Sequence, residues 1–286
     1  VVINLTYDSD MQPDFSDIRF TYYNSTSDEE AEIPYWIEEK VDSEWAYVWV
    51  KVSEIPANNN ATIYVYYGNT TPVNSASNAS AVFDFYEDFS TDVFSQAEWT
   101  RSDSARVYVE NGELKLPNEG TSDDWAQYDK GSCIVDFPSS ASYFIAIEQR
   151  TYSDGAGGSG YHTGSHQFLN STGDRYEMFV NLPDGTYGWK IYSQWGEPLS
   201  DGTADGWLFT RALFNTTHEK FYYSGGVNNV DLHLVRTEDN PYGLTENCIR
   251  GLKWKQAWDI NMRIDWVRVR KYADPEPTYS IGSEET

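Results

Sequence analysis

Few side chains in this chain could do chemistry, and their spacing favours binding over turnover. Its four histidines, His162, His166, His218 and His233, have no serine or cysteine nucleophile motif beside them. His162 and His166 stand four apart, which would suit one metal on one helix face, but the Gly and Ser residues around them indicate a loop. Glu148 falls in a run that reads as a strand, with no acidic partner two residues away. Aromatic residues offer more. Trp189, Tyr192, Trp195 and Trp207, interleaved with Asp184, Gln194, Asp201 and Asp205, form the candidate glycan-binding cluster. Exposed rings with polar neighbours are what a sugar needs, although most aromatic side chains in a fold of this kind belong to its core.

Two cysteines, Cys133 and Cys248, form the one possible disulfide, and their separation excludes a zinc knuckle or a CxxC redox centre. In an oxidising compartment the bridge would close a long loop, worth on the order of 4–5 kcal/mol in the chain-entropy description. Glycosylation sequons occur at Asn4, Asn24, Asn60, Asn69, Asn78, Asn170 and Asn215, seven of eighteen asparagines, and five lie in the first 80 residues. Most sit next to expected turns, where a glycan can be accommodated. The chain starts without an initiator Met or a signal peptide, as a processed chain would. Together these features predict an extracellular or cell-surface location.

Composition narrows the partners. With 20 basic and 45 acidic residues the formal charge is −25, and only Arg19, Lys40 and Lys51 are basic in the first 90 residues. Binding to nucleic acid needs a basic stripe, so that partner class is excluded. No run of about 18 apolar residues exists to span a membrane as a helix. At 286 residues, with 40% of them hydrophobic and 16% aromatic, the chain has material for two cores.

The positions of all these residues depend on strands. Pro34 to Ile37, Trp45 to Val52 and Ile63 to Asn69 mix aromatic with β-branched residues, closed off by Asn, Asp, Gly or Pro. In Trp45 to Val52 both alternating faces are apolar, which predicts a strand covered on both sides. Thr70 to Ser80 reads as a linker, and a second register begins at Phe83. Asn111-Gly112 between two alternating runs predicts a tight hairpin. Many short strands follow, separated by Gly- and Asp-rich turns, and a polar tail closes the chain. The expected fold class is all-β: a small β-sandwich over 1–84, a larger jelly-roll sandwich over 85–273 and a tail over 274–286.

Four segments taken in order, Asp14 to Phe20, Pro34 to Ile37, Ala46 to Val52 and Tyr64 to Asn69, resemble an uncharacterised domain family of archaeal and bacterial surface proteins. Members are commonly followed by a concanavalin A-like jelly roll, which Phe85 to Ser90, Val109 to Leu116 and Ile264 to Val269 resemble. That second resemblance implies a structural Ca²⁺ at Glu87 or Asp88, Gly112 and Asp265, since calcium takes carboxylate, backbone carbonyl and water oxygens. Jelly-roll glucanases carry a Glu-x-Asp-x-x-Glu strand, and no such spacing occurs here, so an enzyme is not expected. The first family usually has a further strand before the position of Val1. A layer short of one strand leaves an open edge, which predicts strand addition between copies. The functional expectation is a non-catalytic surface structural protein that self-assembles, with a glycan-binding adhesin as the alternative.

Overall fold

Side-chain alternation with a period of two organises every sheet of this chain. A computed structural model describes residues 1–24, 27–56, 59–71, 74–117, 123–129, 135–136, 143–155, 163–169, 175–181, 186–191, 194–195, 199–200, 206–214, 218–224, 233–239, 248–249, 251–257, 260–273 and 275–284. It divides into two units: 1–84 together with the tail 273–286, and 85–272. The tail, read from sequence as a separate exit segment, is grouped with the first unit.

The first unit holds β1 (Val2–Thr6), β2 (Arg19–Asn24), β3 (Glu29–Ile33), β4 (Tyr35–Val41), β5 (Trp45–Val50) and β6 (Ile63–Tyr66), then the one-turn helix α1 (Ala79–Val82). They form two three-stranded antiparallel sheets, in the orders β1-β5-β4 and β3-β2-β6. Ile3, Leu5, Phe20, Ile33, Tyr35, Ala46, Val48 and Val50 meet in one core. The other face of β5 is only half covered. Trp49 is buried with its ring 5.4 Å from Phe83, whereas Tyr47 is 40% exposed. The expectation of a strand sealed on both sides therefore holds at Trp49 and fails at Tyr47.

The chain itself meets both edges of the β1-β5-β4 sheet. Along β4, the backbone N–H of Asn78 donates to the Tyr35 carbonyl at 2.9 Å, and the Ile37 N–H donates to Ser77 Oγ at 2.8 Å. On β1, the Asn4 N–H donates to the hydroxyl of Tyr279 in the tail at 2.9 Å. The expected open layer is thus met in part by its own chain.

The second unit continues with β7 (Phe85–Glu87), β8 (Trp99–Arg101), β9 (Tyr108–Glu110), β10 (Glu113–Leu116), β11 (Asp123–Asp129) and β12 (Val135–Asp136). Next come β13 (Tyr143–Gly155), β14 (Thr163–Leu169), β15 (Arg175–Asn181), β16 (Thr186–Ile191), β17 (Gln194–Trp195) and β18 (Leu199–Ser200). The last are β19 (Gly206–Phe214), β20 (His218–Ser224), β21 (His233–Asp239), β22 (Cys248–Ile249), β23 (Gly251–Ala257) and β24 (Ile260–Ala273). One eight-stranded sheet runs β21-β20-β19-β13-β24-β10-β9 with β7 on β24. The other runs β17-β16-β15-β14-β23-β11-β8 with β18 on β16. Ile145, Ile147 and Phe214 from the first sheet pack on Phe168, Leu252 and Trp254 from the second. The fold is all-β, built of sandwiched sheets, as the strand periodicity predicts. The Asn111-Gly112 hairpin is present between β9 and β10, with φ of 54° and 74° at its two central residues, the primed turn that matches strand twist.

One local device occurs in both units. Asp14-Phe15-Ser16 and Asp88-Phe89-Ser90 each fold so that an Asp Oδ1 accepts the Ser N–H, both at 3.0 Å. The phenylalanine between them is forced to a left-handed φ, 58° at Phe15 and 53° at Phe89, and its ring is fully buried. A bulky residue there is strained by about 1–2 kcal/mol, which burying a phenylalanine, at about 2–3 kcal/mol, offsets. Phe89→Ala should therefore lower stability by about 3–5 kcal/mol in urea unfolding, and Asp88→Ala by about 1 kcal/mol.

Candidate functional site

Sheet β3-β2-β6 of the first unit has one apolar face and one that faces away from the core. Phe20, Tyr22, Ile33, Ile63 and Val65 turn inward. The registers Arg19↔Tyr66, Thr21↔Tyr64 and Tyr23↔Glu30 then place those six residues together on the opposite face. Tyr64 is 37% exposed and Tyr66 51%. Two residues apart on one strand, their rings are offset by about 7 Å along it. Glu30, on the far edge strand, crosses β2 to take a hydrogen bond from the Tyr66 hydroxyl at 2.8 Å and another from Thr21 Oγ1. The Tyr23 hydroxyl donates to Asp28 Oδ1 at 2.6 Å. The Thr21 bond, and after it the Tyr66 bond, hold the Glu30 carboxyl below its usual range. By the same contacts the phenols of Tyr23 and Tyr66 are raised, chiefly by the carboxylates that accept from them. The face thus combines open rings with an ionised carboxylate and hydroxyl donors that water can reach. From the sequence Tyr64-Val65-Tyr66 reads only as a strand, because its partners across the sheet depend on register.

The second unit buries its charged chemistry. Glu148 on β13 is inaccessible to water. Its Oε1 receives Arg211 Nε at 2.7 Å and Arg270 at 2.8 Å, and its Oε2 receives Arg268 Nε at 2.6 Å. Burial would push its pKa up, but the guanidiniums of Arg270, Arg268 and Arg211 outweigh burial and hold it well below the usual carboxylate range. Both of its oxygens are engaged by guanidiniums, which favour the ionised form. On the other side of β13, the imidazole of His166 lies in the sandwich interior, where burial depresses its pKa to about 3.

The sequence-predicted residues scatter. Trp189 and Trp195 belong to β16 and β17, and Trp207 to β19 in the other sheet, so they do not form one platform; Tyr192 lies outside the described residues. The Trp207 ring instead meets Tyr152 at 5.5 Å and has Arg150 at 4.6 Å over it. Each carboxylate offered for Ca²⁺ already has a partner in the protein. Asp265 already faces Arg150 at 2.6 Å, Asp88 holds the Ser90 N–H, and Glu87 holds the Phe89 N–H at 2.8 Å. Burial moreover raises the Glu87 pKa. Gly112 supplies the hairpin turn, and among the described residues no three His, Cys, Asp or Glu side chains gather.

Cys248 lies in β22 opposite Asp136, three residues after Cys133, which is outside the described residues, as are Asn170 and Asn215. Of the other sequons, Asn4 lies in β1, Asn24 ends β2, and Asn60 is exposed in a loop. Asn78 caps α1 through its side chain. Asn69 Oδ1 accepts both the N–H and the hydroxyl of Thr71, at 3.0 and 2.6 Å. Among the described residues no helix is long and apolar enough to cross a membrane.

Residues 14–102 match a family described as a domain of unknown function (DUF2341), and the match includes all four segments singled out in the sequence. Among solved structures, a Lotus tetragonolobus seed lectin is similar over 65% of this chain and 97% of its own, with a TM-score of 0.48 and 8% identity. A Bacillus licheniformis β-glucanase is similar over 65% and 97%, with a TM-score of 0.45 and 11% identity. SCLam, a non-specific endo-β-1,3(4)-glucanase from family GH16, is similar over 65% and 89%, at 0.45 and 14%. No curated protein matches the chain.

Two pH effects follow. Replacing Glu148 by Gln leaves three guanidiniums, those of Arg211 and Arg268 buried, short of their counter-charge and should cost about 3–5 kcal/mol in urea unfolding at neutral pH. His166 is neutral when folded down to about pH 3 but takes a proton near pH 6.5 when unfolded. Its stabilising contribution is therefore complete above about pH 6.5 and is lost as the pH falls towards 3, by up to about 1.4 kcal/mol per pH unit. Glu148 adds to the loss below about pH 4.5. Unfolding curves recorded from pH 7 to 4 should show this slope, and His166→Gln should flatten it between about pH 6.5 and 4.5.

Proposed function

We propose that this chain is a non-catalytic, extracellular carbohydrate-binding module of a surface protein, and that the tyrosine face of sheet β3-β2-β6 is its binding surface. The carrying observation is the exposure of Tyr64 and Tyr66 beside the ionised Glu30, with Thr21 and Tyr23 in the same face. A sugar ring offers C–H groups to a phenol face and hydroxyls to carboxylate and phenol oxygens, and this face supplies both. Ring burial supplies affinity and Glu30 supplies orientation. What supports the non-catalytic part is Glu148, the strand carboxylate nearest in type to a glycosidase residue, whose oxygens are both taken by arginines.

The test is a glycan array followed by titration calorimetry on the best-bound glycan. Tyr64→Ala and Tyr66→Ala should each weaken binding at least about tenfold, with Tyr66→Phe retaining most of it. Trp207→Phe should change nothing. A blank array, or undiminished binding by both alanine variants, would defeat the reading. Binding confined to basic peptides or quaternary amines would reassign the face to cation recognition.

A second reading, assembly between copies, rests on one hydrogen bond. The edge of β1 turns the Asn4 N–H outward, and a side chain of the tail meets it, the Tyr279 hydroxyl. The same tail holds Glu284 against the Tyr67 hydroxyl at 3.0 Å. An edge satisfied by a side chain is one that a neighbour's strand could take over. Tyr279→Phe should then raise the weight-average mass with concentration in light scattering. A variant and parent that both stay monomeric at high concentration would end the assembly reading.

A further inference from the structure

The interior of the second unit changes character along its length. At one level Ile145, Ile147, Ala212 and Phe214 of one sheet face Phe168 and Leu252 of the other. Following the same inward-facing positions along each strand, β13 next presents Gln149 and Thr151, β19 presents Thr210, and β14 presents His166 beside Trp254 of β23. These five side chains are all buried, none more than 3% exposed. The sheets are joined here by a hydrogen bond from Trp254 Nε1 to Gln149 Oε1 at 2.6 Å, which fixes the level at which polar groups from both sheets confront each other. Yet among the described residues both imidazole nitrogens of His166, Thr151 Oγ1 and Thr210 Oγ1 have no hydrogen-bond partner.

Four orphaned polar atoms on three strands of two facing sheets are not a chance remainder. Buried hydroxyls and imidazoles are almost always paired, and a cluster of them facing one interior zone is paired by solvent. A neutral imidazole needs one acceptor for its N–H and one donor for its bare nitrogen. Each threonine hydroxyl can give one hydrogen bond and take others. Water, which gives two and takes two, suits that mixed demand, whereas an anion or a cation would satisfy only one half of it.

We infer that this polar end of the sandwich is a built water site, in which a small cluster of ordered waters links His166 of one sheet to Thr151 and Thr210 of the other. The waters complete the packing between the sheets where side chains do not.

An atomic-resolution crystal structure of the whole chain tests this directly. Solvent density should lie at about 2.7–3.2 Å from an imidazole nitrogen of His166 and from both threonine hydroxyls. Direct His–Thr hydrogen bonds, a dry interior, or density for a larger molecule would each overturn it. In solution, the imidazole nitrogen shifts of His166 should report a neutral ring hydrogen-bonded at both nitrogens. The paired substitution Thr151→Val and Thr210→Val keeps the shape and removes the hydroxyls, so those shifts should move and at least one water should be lost. Shifts identical to the parent's would show that no solvent joins the two sheets there. Should the variant fail to fold, the parent's crystal structure and shifts decide the matter.

Discussion

A carboxylate sealed from water and held by three guanidiniums fixes the large sheet of this protein. Glu148 sits on β13, directly opposite Arg211 on β19, while Arg268 and Arg270 reach it from β24. A shift of one residue in β13 would turn Glu148 into the apolar interior and Ile147 out of it, stranding four charges at once. The cluster therefore specifies register more than it adds net stability, since burying charges costs nearly what their attraction returns. Correct register in turn aligns Gln149, Thr151 and Thr210 on the inner side of the same strands. The ionic outer side and the polar inner zone are consequences of a single pairing.

Phe15 and Phe89 show the same economy at a smaller scale. In each unit a short Asp-Phe-Ser segment strains one backbone angle so that a ring can enter the core. The repetition gives a local role to Asp88, an acidic residue that the resemblance to the concanavalin A-like fold offers as a metal ligand. Its side chain is engaged in the turn.

Much of the architecture could be read from the sequence, because alternation and turn chemistry are local. The Asn111-Gly112 hairpin and the aromatic strands of the first unit are examples: each is encoded within about ten residues. Residues that meet only through pairing could not be read that way. Glu148 lacks an acidic neighbour in sequence, and that was all its surroundings disclosed; its three arginines lie 63, 120 and 122 residues away. Trp189 and Trp207 looked adjacent but belong to different sheets, since the chain crosses between layers in the interval. The Tyr64, Tyr66 and Glu30 face depends on a register across three strands, with 36 residues separating the members of its key hydrogen bond.

Two glutamates in this chain divide the possible functions between them. Both are held ionised, Glu148 by arginines and Glu30 by hydroxyls. The difference lies in what a newcomer must displace. To engage Glu148 a ligand would have to enter the protein and leave a guanidinium unpaired, a penalty that no sugar hydroxyl could repay. To engage Glu30 it need only exchange with a phenol or threonine hydroxyl at a water-exposed surface, replacing one neutral donor by another of the same kind. Beside Glu30 stand two tyrosine rings with open faces. In a chain of net charge −25, recognition by such a face would be set by ring contact and neutral donors rather than by long-range attraction, which is the balance a neutral glycan requires.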